Sequence, residues 1–147
     1  MTKKIIIIVV MLATAALAIW YGTNEVNAPS FESEETSLED TAWSWQYTEL
    51  LSGEKVEAPA GDRFVLTLEG EGNLGSTTDC NFMGGSYVLD GEVLSIGQIL
   101  MAKMYCEGSM EGVYVEQLGL VNSYVIVDDT LRLNLNRDYG VMVFKSK

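Results

Sequence analysis

Beyond residue 40 the apolar side chains mostly alternate with polar ones over short runs, as in strands with one face on a core and the other in water. Trp43, Trp45 and Tyr47 alternate with Ser44, Gln46 and Thr48, which predicts a strand with an aromatic inner face that Ser52-Gly53 ends. After a loop around Pro59 and Gly61, Phe64, Leu66 and Leu68 share one face, and the glycines at 70 and 72 turn the chain. Tyr87 and Leu89 lead into Asp90-Gly91, a strong hairpin signal, and residues 93–96 return from it. Residues 124–127, the Leu131, Leu133, Leu135 run and residues 141–144 form a three-strand meander, broken at Asp128-Asp129 and at Asp138-Tyr139-Gly140. One segment has a different period. Met110, Val113, Tyr114, Leu118 and Val121 recur at helical spacing, with Ser109 placed to cap the first turn and Glu111 near the positive end of the helix dipole. Gly112, Val113 and Val115 weaken its propensity, so this helix depends on packing. The pattern predicts an α+β, mainly β domain over residues 41–147. It would be a bent antiparallel sheet or partial barrel of about seven strands, with one short helix between the fourth and fifth strands closing a side.

The N-terminal part reads differently. Lys3 and Lys4 precede an apolar run from Ile5 that ends in Trp20-Tyr21, roughly 17 residues where about 20 span a bilayer comfortably. Residues 1–21 are therefore expected to be a membrane anchor or a signal peptide. Ala16-Leu17-Ala18 offers a cleavage site, whereas the interfacial rings of Trp20 and Tyr21 favour a retained anchor. In either case the positive-inside rule puts Lys3 and Lys4 in the cytoplasm and everything after Tyr21 outside. The expected location is thus the cell envelope, as an N-in/C-out single-pass protein, or as a secreted or periplasmic one if the segment is cleaved. Residues 22–40 carry Glu25, Glu32, Glu34, Glu35, Glu39 and Asp40 with no base, too polar to bury much area, and read as an acidic flexible tether.

Charge and composition mainly exclude. The 147 residues hold 9 Lys plus Arg against 21 Asp plus Glu and no His, for a net charge of -12. This speaks against nucleic acid as a partner, and no His-based triad or His-containing zinc site can be built. No metal and no cofactor is expected.

The order Trp43-Ser44-Trp45, the Phe64 to Leu68 strand, Thr78-Asp79-Cys80-Asn81 before Gly85-Ser86-Tyr87, and Met104-Tyr105-Cys106-Glu107-Gly108-Ser109 before Glu116 and Leu118 resembles the META/HslJ (DUF306-like) domain family. The Leu131-Arg132-Leu133 and Met142-Val143-Phe144 strands complete the likeness, which covers nearly all of residues 41–147. The resemblance implies a small exported or envelope-anchored protein linked to stress tolerance, with no enzymatic activity and with its two cysteines paired. The residues point to the same pairing. Two cysteines in an exported domain, neither in Cys-x-x-Cys nor beside His, suit a structural disulfide between Cys80 and Cys106, the alternative being two buried free thiols. Asp79 and Glu107 beside them oppose thiolate formation, so neither is expected to be a nucleophile.

Other candidate chemistry is thin. Asp128-Asp129 reads as turn residues rather than a cation site, and Asp79 and Asn81 as side chains bonding their own turn. Residues 99–105 are apolar and read first as the core-filling lead into the helix; the alternative, if they are exposed, is a peptide or partner surface. No acid sits in a recognisable acid/base motif, so no catalytic residue is named and the protein is expected not to be an enzyme. The expected function is a disulfide-stabilised protein-interaction or stress-tolerance module that contacts an unidentified protein. The alternative is a binder of a small hydrophobic ligand, with a pocket lined by Trp45, Tyr47, Phe64 and Tyr114, and Trp43 beside it as a ligand or core aromatic.

Overall fold

The computed structural model describes residues 36–102, 104–136 and 138–147. The anchor or signal segment, with Ile5, Trp20 and Tyr21, and most of the acidic tether lie outside the described residues. Among the described residues no helix is long and apolar enough to cross a membrane.

Nine strands are present in that region: β1 (Ala42–Leu50), β2 (Lys55–Glu57), β3 (Val65–Glu69), β4 (Asn73–Thr77), β5 (Phe82–Asp90), β6 (Val93–Met101), β7 (Val121–Val127), β8 (Thr130–Leu135) and β9 (Gly140–Ser146). One helix, α1 (Glu111–Leu118), lies between β6 and β7, and a 3-10 turn (Gly70–Gly72) joins β3 to β4. All strand ladders are antiparallel and each strand from β3 to β9 pairs with the next. β1 closes the ring, pairing with β9 along one edge and with β3 along the first half of the other. The expected bent sheet or partial barrel of about seven strands is therefore corrected to a closed barrel of eight, β1 and β3–β9, with β2 added beside the second half of β1.

Two strands escaped the pattern for physical reasons. β4 reads Asn-Leu-Gly-Ser-Thr, with a Gly and two small polar residues where an alternating apolar face is expected, and only Leu74 and Ser76 point into the core. β2 is three residues long and largely exposed. The hairpins follow their turn chemistry: Asp90 pairs with Val93 across Gly91-Glu92, and Val127 with Thr130 across Asp128-Asp129. Gly91 (φ 60) and Asp128 (φ 55) are left-handed there, as tight two-residue hairpins require.

Eight strands enclose an interior just wide enough for side chains to fill. Trp43, Trp45, Leu66, Leu68, Leu74, Met83, Tyr87, Leu94, Leu131, Leu133, Met142 and Phe144 occupy it, all buried, with Phe64 just ahead of β3. The helix closes one end of the barrel, rather than a side. It sits where β3, β5 and β7 begin and sends Tyr114 and Leu118, both fully buried, inward. At the opposite end Leu38 is the stopper. It is 6% exposed, its carbonyl accepts the Trp43 indole N–H at 3.0 Å, and the next residue, Glu39, forms a parallel bridge with Leu68. The last residues of the stretch read as tether thus belong to the folded body.

Candidate functional site

The helix end of the barrel concentrates the sequence-predicted site residues, and it is built around one turn, residues 78–81, between β4 and β5. Cys80 and Cys106 are bonded there, with their Cα atoms 5.8 Å apart. Side chains of the same turn reach the far side of the loop that Cys106 belongs to. Asp79 accepts the Ser109 hydroxyl through Oδ1 and the Met110 N–H through Oδ2 at 3.1 Å, while Ser109 Oγ accepts the Glu111 N–H at 3.0 Å. The N–H groups of the N-cap residue Met110 and of the first helical residue Glu111, which have no partner within the helix, are satisfied in this way. Asn81, 3% exposed, donates through Nδ2 to the Met104 carbonyl (3.1 Å) and to Glu111 Oε1 (2.8 Å), and its Oδ1 accepts the Met104 N–H. Thr78 Oγ1 donates to Glu111 Oε2 at 2.6 Å.

Asp79 and Asn81 are therefore structural, but not through their own turn. Their partners are 23 to 31 residues away in the chain, a pairing that no local rule anticipates. The disulfide and these bonds hold the segment after β6 against the start of β5. Asp79, Asn81 and Glu111 thus spend their polar groups on bonds that join the two elements beside the covalent cross-link.

The aromatic residues expected to line a pocket divide. Trp45, Phe64 and Tyr114 meet in the barrel interior with ring centroids 5.1 to 5.3 Å apart, and Phe144 stands 6.4 Å from Tyr114. The three are 0 to 2% exposed and fill the space between the helix and the wall. Tyr114 Oη lies 3.1 Å from Ser76 Oγ, and burial pushes its phenol well above the ordinary range. Trp43 is also buried, at the Leu38 end. Tyr47 does not join them. A bulge at Gln46 shifts the register between Trp45 and Tyr47, so Thr48 takes the inward position and bonds Gln117 at 2.6 Å, while Tyr47 packs its ring under the Lys55 ammonium, 4.2 Å away. Strict alternation through Trp43, Trp45 and Tyr47 fails at that extra residue.

Asp128 and Asp129 form a hairpin turn, as expected, and Asp129 is held by Lys145, which with the hydrogen bond it donates lowers the Asp129 pKa. Among the described residues no group of three or more acidic or cysteine side chains is arranged to hold a metal ion.

What the disulfide end does display is apolar surface. Phe82 is 77% exposed, Leu100 65%, Met101 38%, Met104 61% and Tyr105 90%. Leu100 pairs with Gly84, two residues from Phe82 on the same outer face, and Met104 is bonded to Asn81, the residue before Phe82. Phe82, Leu100, Met104 and Tyr105 thus form an exposed apolar group near the Cys80–Cys106 bond, whereas Met101, opposite the buried Met83, lies on the other face of β6. The preferred reading of residues 99–105 as a core-filling lead into the helix is thus corrected, since Leu100, Met101, Met104 and Tyr105 are exposed, and Phe82 is absent from the expected sites altogether. The signal that finds it is charge: neither residues 80–89 nor residues 93–106 contain an acid, in a chain that has 21.

The fold is shared with known structures. A protein from Burkholderia xenovorans solved by NMR superposes with a TM-score of 0.65 at 24% identity, covering 75% of this chain and 83% of that one. A second NMR structure matches with a TM-score of 0.51 at 13% identity, covering 75% and 94%. A DUF4847 family protein from Bacteroides vulgatus matches more loosely, with a TM-score of 0.48 at 18% identity over 56% of this chain and 58% of that one. No curated protein matches the chain. The META domain model matches residues 36–147, the closed barrel together with its Leu38 stopper, and this chain belongs to the META domain family.

Proposed function

We propose that this protein is a non-enzymatic envelope domain that works by binding another protein through the apolar cluster at its disulfide-tied end. The observation that carries the reading is the exposure of Phe82, Leu100, Met104 and Tyr105 together. Soluble monomers rarely display large contiguous apolar patches, and those that do usually use them as interaction sites. Aromatic and Met side chains are the residue types enriched where proteins bury each other. Cross-linking by the disulfide and the Asp79 and Asn81 bonds keeps the patch rigid, which lowers the entropy a partner must offset on docking. The filled interior around Tyr114 supports the same reading, because a contact platform needs no cavity. Export fits too: a disulfide persists in an oxidising compartment, and the basic, apolar N-terminus is an export signature. A stress-tolerance role in the envelope is the part of this proposal that rests on family resemblance.

The test is a native mass measurement of the protein extracted from its own cells, for the parent and for the Leu100→Asp, Tyr105→Asp double variant. A second chain that leaves the parent on denaturation, and is missing from the variant, is the expected result. A small molecule leaving instead, or a parent that carries nothing, overturns the proposal.

A further inference from the structure

We infer that the open edge of β6 receives an extended, apolar, positively charged segment of the partner protein as an added antiparallel strand. This rests on the contact-platform reading above and specifies how the partner is held. β6 pairs with β5 from the Val93 end to Met101, but with β7 at the single position Val93↔Ser123, next to a Tyr124 N–H bond to the Glu92 carbonyl. Among the described residues no other backbone hydrogen bond reaches residues 95–101 from that side. Ser95, Gly97, Gln98, Leu100 and Met101 are all exposed along it. The barrel is thus closed by a thin joint, and most of β6 offers a row of donors and acceptors that only another extended backbone can satisfy in full.

Exposed edges are normally blunted by charge or proline. β6 has neither: Val-Leu-Ser-Ile-Gly-Gln-Ile-Leu-Met contains no charged residue and no Pro. The bulge at Gly97 and Gln98, opposite Ser86, is the one protective device, and it confines a regular ladder to the Met101 end. That end carries the apolar group, so a guest strand hydrogen-bonded there would lay alternate side chains beside Leu100, with Phe82 one strand beyond on the same outer face.

Charge selects the occupant. The chain carries -12 overall, yet β6 has no acid, and the one acid of β5, Asp90, lies at the hairpin end away from Met101. A second copy would bring two strongly negative bodies together, whereas a cationic partner is drawn in by the whole domain and meets no repulsion or desolvated carboxylate at the docking edge. The fitting partner is a basic protein with an exposed apolar strand or tail.

The experiment titrates the full-length protein with a synthetic peptide that alternates valine with lysine, following amide hydrogen exchange and NMR shifts. Controls are the same peptide N-methylated at alternate residues, which keeps charge and side chains but loses one edge of donors, and a version with glutamate replacing lysine. The expected result is protection of amides in residues 95–101 by the first peptide, none by the N-methylated one, and binding weaker by about tenfold or more for the glutamate version. Leu100→Lys should lose the binding without a change in melting temperature. Equal binding of the N-methylated peptide overturns strand addition and leaves the apolar-contact reading standing. A chain that instead doubles its mass with concentration overturns the basic partner in favour of a second copy. No peptide binding, together with a native partner that survives Leu100→Asp, Tyr105→Asp, removes both readings.

Discussion

The Asp79 carboxylate accepts the N–H of Met110, 31 residues on, at 3.1 Å, so a turn between two strands holds the N-cap of the helix that begins at Glu111. The contact couples the barrel wall to its lid. Neither element specifies the other locally; they are neighbours because the antiparallel ladder brings the start of β5 and the end of β6 to the same end of the barrel.

Removing that cap should cost a measurable part of the stability. Asp79→Ala frees the Met110 N–H and the Ser109 hydroxyl and should destabilise the domain by about 1 kcal/mol, read as a lower urea midpoint. Asp79→Asn retains an acceptor and should lose less. A midpoint unchanged in the Ala variant would mean the contact contributes nothing in solution.

The disulfide should contribute more than the cap. Cys80 and Cys106 are separated by 26 residues, and on the chain-entropy account closing such a loop stabilises by about 3.5 kcal/mol. The Cys80→Ser, Cys106→Ser double variant should melt roughly 15 °C lower, given average unfolding entropies for a domain of this size. If the double variant melts with the parent, the loop is held by Asp79 and Asn81 alone.

Tyr87 predicts an alkaline limit. Its hydroxyl bonds Glu39 and the Glu69 carbonyl, and burial, then the Glu39 hydrogen bond and the negative charges of Glu39 and Asp40, push its pKa up to about 12. Because the folded value exceeds the unfolded one, near 10, this contribution is complete below about pH 10 and is lost as the pH rises through about 12. Tyr87→Phe should flatten the fall in stability across that interval, measured as urea midpoint against pH. The slope that remains belongs to Tyr114, also raised by burial. Parallel curves for parent and variant would assign the alkaline loss elsewhere.

Legibility followed how local each determinant is. β3 and β8 read directly as Leu66 and Leu68, and as Leu131, Leu133 and Leu135, because a half-buried strand imposes a period of two. The helix was visible through Tyr114 and Leu118, and the cysteine pair because a lone pair has one intramolecular partner choice. β4 was missed since its outer face needs only Asn73, Gly75 and Thr77, residues that also make turns. Tyr47 was misplaced because a single inserted residue, Gln46, reverses the faces beyond it.

The sequence by itself determined a mainly β domain with one amphipathic helix, a disulfide, and an acidic character that disfavours nucleic acid. Those features rest on periodicity, cysteine count and net charge, each of which a linear chain carries in full. Only the tertiary structure decided that β1 pairs with both β3 and β9 and so closes a barrel, that Leu38 belongs to it, and that Phe82 and Leu100 share an exposed face beside a strand edge paired at only one position. These depend on contacts between residues distant in sequence. Whether an apolar side chain faces the core or the solvent is set by register and stagger, which no local pattern records.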